Sequence, residues 1–107
     1  MGRFTYDRVV SVEFDDRMLR HFQIVIGIKL HRHEAFFFSW EDHQSVGKSR
    51  TSIWVHPGAL LLFKYYGSKS PQVNLSWIHS LELAANSGAG LACVPEPDGH
   101  PHQNPVP

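Results

Sequence analysis

The sequence predicts an α+β fold, a single domain on a mainly antiparallel sheet of about five strands with two helices on one face, in the order β-α-β-β-β-α-β. Three observations carry that prediction. Residues 34–66 gather Phe36, Phe37, Phe38, Trp40, Ile53, Trp54, Phe63, Tyr65 and Tyr66 into three apolar runs separated by polar breaks, a pattern of consecutive antiparallel strands. Two further segments repeat apolar residues at helical spacing behind a capping residue. Residues 4–14 alternate with a period of two, as a strand with one buried face does.

In chain order, Phe4, Tyr6, Arg8, Val10, Val12 and Phe14 occupy the even positions of the first strand, which Asp7 and Arg8 are placed to break in two. Asp15 and Asp16 supply helix N-cap chemistry, since a short carboxylate accepts the free amide hydrogens of a first turn. A helix over residues 17–30 follows, with Leu19, Phe22, Ile26 and Leu30 on one stripe widened by Met18 and Val25. Ile24, Val25 and Ile26 also suit a strand, but the caps and the length favour helix. His31, Arg32 and His33 end it, where cations suit the terminal carbonyls.

Strands over 34–40 and 50–56 form a hairpin around the polar loop 41–49, with Gly47 as its turn residue. Pro57 and Gly58 then turn the chain into a third strand over 59–66. After a Gly, Ser and Lys loop, Asn74 caps a second helix bearing Leu75, Trp77, Ile78, Leu81, Ala84 and Ala85, which Asn86, Ser87 and Gly88 terminate. Residues 91–94 read as a short final strand. The domain is expected to span 1–94, and 95–107, with five of the seven prolines, to be a disordered tail. The alternative is that Pro95 to Pro97 docks on the sheet edge or on Trp77.

Composition narrows the function. Ten Lys and Arg balance ten Asp and Glu, so no global field steers the protein to nucleic acid or an anionic membrane. Cys93 is the only cysteine, which excludes an internal disulfide or a thiolate cluster and fits a reducing, cytoplasmic setting. Neither a signal peptide nor a membrane-length apolar run is evident.

No catalytic constellation emerges. His31 and His33 sit beside Glu34 and, across the hairpin, Glu41, Asp42 and His43, but zinc needs three or four ligands in fixed geometry, and a solvated helix end is the better reading. His100 and His102 lie in the tail. Val46 to Ser49 resemble the end of a phosphate-binding loop, yet its first glycine is replaced by Asp42. His56 reads as a hydrogen-bonded structural histidine, and Cys93 as a buried small hydrophobe. No cofactor, metal or catalytic residue is therefore expected.

The informative constellation lies on the second strand of the hairpin. Arg50, Ser52, Trp54 and His56 share one face, and Thr51, Ile53 and Val55 share the other, core-facing one. Lys64 and Tyr66 on the next strand are placed to join the first set, with Lys48 and Lys69 as loop cations. Aromatics interleaved with cations on a sheet stack bases and hold phosphates. Nucleic acid, DNA or RNA, is thus one expected partner. A protein partner or a second copy hiding the same aromatic face is the other, and Trp54 covered by a loop or by the N-terminal strand is the bland alternative.

Asp15-Asp16-Arg17, Phe38-Ser39-Trp40, Arg50 through Pro57, Asn74-Leu75-Ser76-Trp77, Ala85-Asn86-Ser87 and Pro95-Glu96-Pro97 together resemble small proteins of actinobacteria and their phages. The resemblance covers residues 1–97 and departs at His31 and His33, where basic residues and glycine are more typical. Many such proteins are catalogued as ATP-dependent DNA ligases, which implies DNA processing. A ligase of that class adenylates the lysine of a Lys-x-Asp-Gly motif, and none of Lys29, Lys48, Lys64 or Lys69 is followed by x-Asp-Gly. The expected role is therefore a noncatalytic accessory of DNA metabolism.

Overall fold

The computed structural model describes residues 1–42 and 49–97. Along these run β1 (Gly2–Tyr6), β2 (Val10–Phe14), α1 (Asp16–His31), β3 (Phe36–Glu41), β4 (Arg50–Val55), β5 (Leu61–Tyr65) and α2 (Leu75–Asn86). Asp7 and Arg8 do break the N-terminal strand: both adopt positive φ, 50° and 63°, and Val9 N–H donates to Tyr6 O at 2.9 Å. Paired positive φ angles give the turn whose twist suits a hairpin. Asp7 is held from outside as well, its N–H donating to Leu60 O at 2.8 Å and its Oδ1 accepting from Leu60 N–H at 2.7 Å.

That clamp steers β5. It lies antiparallel beside β1, with Tyr6 opposite Leu61 and Gly2 opposite Tyr65, so the first sheet has the order β2-β1-β5. β3 and β4 form a second, two-stranded antiparallel sheet. The α+β class and five antiparallel strands therefore stand, but the strands divide between two sheets because β5 pairs with β1 and not with β4. The helices divide too. α1 packs on β1 and β5, α2 packs on β3, and the two helices touch each other.

Between the sheets lies an aromatic core. Phe4 and Phe14 from the first sheet meet Phe38 and Trp40 from the second, and Phe22 of α1 closes the side, all of them buried. Phe38 is the hub, with ring centroids 5.5 Å from Phe4, 6.1 Å from Phe14, 4.9 Å from Phe22 and 5.2 Å from Trp40. Most of these pairs are edge-to-face, the arrangement that the ring quadrupole favours.

The helix caps follow the sequence. Asp15 accepts from Met18 N–H at 3.4 Å, and Asn74 Oδ1 accepts from Ser76 and Trp77 N–H at 3.0 and 3.3 Å. At the other end of α1, His33 N–H donates to Leu30 O at 2.9 Å and Glu34 N–H to Lys29 O at 3.0 Å, with His33 at φ 60°. Those paired bonds make a Schellman cap whose left-handed residue is ordinarily glycine. His33→Gly is therefore expected to stabilise the fold by about 0.5–1 kcal/mol. A thermal melt reads this as a rise of several degrees, and an unchanged or lower melting temperature contradicts it.

The final strand expected over 91–94 reduces to one parallel bridge between Leu91 and Phe38. Leu91 N–H donates to Phe37 O at 2.8 Å and Ser39 N–H to Leu91 O at 2.9 Å, after which Val94 N–H folds back onto Ala92 O at 2.9 Å. A three-residue turn of that kind takes up the groups a longer ladder needs. Cys93, expected to be buried, is exposed.

Candidate interaction face

Alternation along β4 sets the site. Ile53 and Val55 are buried in the core, whereas Arg50, Ser52 and Trp54 point to the opposite, outer face. β3 does the same in register: Phe36, Phe38 and Trp40 are buried, and Phe37 and Glu41 are exposed. The outer face of this sheet is thus three cross-strand pairs, Phe37 with Trp54, Ser39 with Ser52, and Glu41 with Arg50. Trp54 is 49 % and Phe37 46 % exposed, and their rings meet edge-to-face at 4.8 Å. The Ser39 and Ser52 hydroxyls share a hydrogen bond of 2.6 Å. Tyr6 at the end of β1 donates its hydroxyl to Trp54 O, tying the two sheets together.

The other residues expected at the site fall elsewhere. Lys64 lies on β5 in the first sheet, opposite Arg3, and its ammonium sits 5.8 Å from the Tyr66 ring centroid. Arg3 in turn pairs with Glu13 at 3.0 Å. Lys69 is exposed in the segment between β5 and α2. His56 is half-buried, and its Nδ1 accepts from Gly58 N–H at 3.1 Å, which shapes the turn after β4. Lys48 and the expected loop tip lie outside the described residues. The fold therefore unites Arg50 with Trp54 and separates both from Lys64 and Tyr66.

Among the described residues no group of three or more His, Cys, Asp or Glu side chains converges as a metal site. Burial of the sulfur, with the Glu41 carboxylate second, holds the Cys93 thiol above its ordinary pKa although the residue as a whole is exposed. A raised thiol is a poor nucleophile at neutral pH. A shallow concavity on the outer side of α1 is lined by Arg20, Gly27, His31 and Arg32 among others, with no carboxylate or nucleophile.

Sequence reasoning missed two buried polar clamps. His21 is fully buried; its Nδ1–H donates to Arg17 O at 2.7 Å and its Nε2 accepts from Asn74 N–H at 2.9 Å, with the ring 4.5 Å from Trp77. Arg17 grips Glu96 through two bonds of 2.8 and 2.6 Å, and Asn74 Nδ2 donates to the same carboxylate at 2.8 Å. Trp77 Nε1 donates to Val94 O at 2.8 Å. Val94 is thus held on Trp77 and Glu96 on Arg17 and Asn74, and the chain beyond Pro97 lies outside the described residues. At the other end of α1, the buried Lys29 donates to Asn86 and pairs with Glu34 at 3.0 Å. The signal was present in the resemblance: Arg17, Asn74, Trp77, Asn86 and Glu96 all belong to its motifs, and each one holds the fold.

The clamp around His21 and Glu96 titrates in a definite direction. The Arg17 guanidinium and the Asn74 amide hold the Glu96 carboxyl down to about 2 from an ordinary 4.5. Its contribution to stability is full above about pH 4.5 and is lost as pH falls toward 2. Burial lowers the His21 pKa below its ordinary 6.5, so the unfolded chain takes up that proton first and stability also falls below pH 6.5. Melting temperature is therefore expected to drop in two stages on acidification. Glu96→Gln should melt several degrees lower at neutral pH and lose the second stage; a pH profile parallel to wild type contradicts the clamp.

No helix among the described residues is long and apolar enough to cross a membrane. The chain matches a domain of unknown function, DUF7882, over residues 1–96 and belongs to that family. No curated protein and no solved structure matches it.

Proposed function

We propose that this member of the DUF7882 family is a noncatalytic protein-interaction module of the cytoplasm that self-associates through the β3–β4 sheet. The supporting observation is the Phe37–Trp54 pair, two large aromatics left half exposed in mutual contact. Aromatic anchors of this kind carry most of the energy at protein interfaces. Electrical balance supports a protein partner over a polyanion, since the net charge is zero and Arg50 stands opposite Glu41. Sedimentation velocity of the full chain is expected to show twice the monomer mass at high micromolar concentration. Trp54→Ser should return it to monomer with little change in melting temperature. Monomer at every concentration counts against the reading.

A second reading, association with DNA or RNA as an accessory of bacterial or phage DNA metabolism, draws on Arg50 and Trp54 sharing the outer face of β4 and on the resemblance to proteins catalogued as DNA ligases. It predicts retardation of labelled oligonucleotides that weakens steeply with salt. The ligase activity itself is not proposed, because no lysine stands in a Lys-x-Asp-Gly motif.

A further inference from the structure

The backbone of β4 shows how two copies meet. Residues facing each other across an antiparallel pair alternate between bonding one another and turning their N–H and C=O away. Phe37 O and Ser39 N bond Leu91 on the side of β3 remote from β4, and Trp54 O accepts from Tyr6. Phe37–Trp54, Ser39–Ser52 and Glu41–Arg50 are therefore the pairs that turn away. Arg50, Ser52 and Trp54 accordingly direct their backbone groups to the outer edge of β4, along which no other described strand lies.

We infer that β4 pairs antiparallel with β4 of a second copy about a twofold axis at Ser52, joining the two small sheets into one of four strands. This rests on the reading of the β3–β4 sheet as the site of self-association and sets the contact along the edge of β4, so that the outer faces of the two copies run on as one. With the axis at Ser52, Arg50 lies opposite Trp54 of the second copy, and each of the three pairs exchanges both backbone bonds. The outer face then reads Phe37, Trp54, then Arg50 and Glu41 of the second copy: a cation held between an aromatic ring and a carboxylate. An axis at Arg50 sets like charges against each other, which is destabilising. An axis at Trp54 sets Ser52 and Arg50 opposite His56 and Gly58 of the second copy, which lie beyond the end of β4 at Val55. Trp54 O can keep the Tyr6 hydroxyl while it accepts from the second copy, because a carbonyl has two lone pairs.

Two variants of the full chain test the register. Ser52→Pro removes an N–H that β3 does not use, so it should fold as wild type yet sediment as monomer. Arg50→Glu should raise the dimer dissociation constant about tenfold by losing the cation over the ring. A dimer that survives both substitutions with the fold intact overturns the register, and if Trp54→Ser still dissociates that dimer self-association through the β3–β4 sheet stands. A wild-type chain that is monomeric throughout overturns the register and the self-association together.

Discussion

Phe38→Ala is expected to destabilise the domain by about 3–5 kcal/mol, the range for deleting a fully buried phenylalanine. Phe38 has no exposed surface and touches rings from both sheets and from α1, so its loss opens a cavity that no single element can close. The neighbouring rings are themselves fixed by backbone pairing, and collapse into the space would disturb the β3–β4 register. For a domain of this size the melting temperature should fall by roughly 4–8 °C for each kcal/mol. Phe37→Ala, one residue away on the outer face, should cost far less. Thermal melts of the two variants side by side make the comparison, and equal losses would show that β3 does not face the way described.

Gly90→Ala is the second large effect. Gly90 has φ 89°, and a Cβ placed there would lie 2.4 Å from Phe37 O and 2.8 Å from Phe37 C. Those are backbone atoms of β3, held by the bond from Leu91 N–H to Phe37 O, so no side-chain rotation relieves the overlap. The left-handed backbone alone costs about 1–2 kcal/mol for a residue with a Cβ. The overlap adds to that, giving an expected total of about 2–4 kcal/mol. Amide exchange at Leu91 and Ser39 should accelerate more than exchange in β1, because the Leu91 bridge gives way first. A melt within a degree of wild type contradicts this geometry.

Periodicity and capping residues made most of the secondary structure legible. Asp15 and Asn74 announced both helices, alternation in β4 separated Ile53 and Val55 from Trp54, and the left-handed turn at Asp7 and Arg8 sat where polar residues interrupted a strand. Strand pairing was not legible, because it depends on contacts far apart in sequence. Asp7 holds Leu60 across 53 residues, and that pair of bonds assigns β5 to β1 and so divides the cations expected around Trp54. His21 and Lys29 were hidden for a related reason. Each interrupts an apolar helix stripe and reads as a surface residue until Asn74 and Asn86, distant in the chain, arrive to satisfy it.

The outer face of β4 can be observed directly with 5-fluorotryptophan, since the chain has three tryptophans and only Trp54 is exposed. Its fluorine resonance is identified by its loss in Trp54→Phe. As the full chain is concentrated from low to high micromolar, the Trp54 resonance is expected to shift while those of Trp40 and Trp77 stay in place. A Trp54 resonance that stays fixed over the whole range contradicts self-association through the β3–β4 sheet.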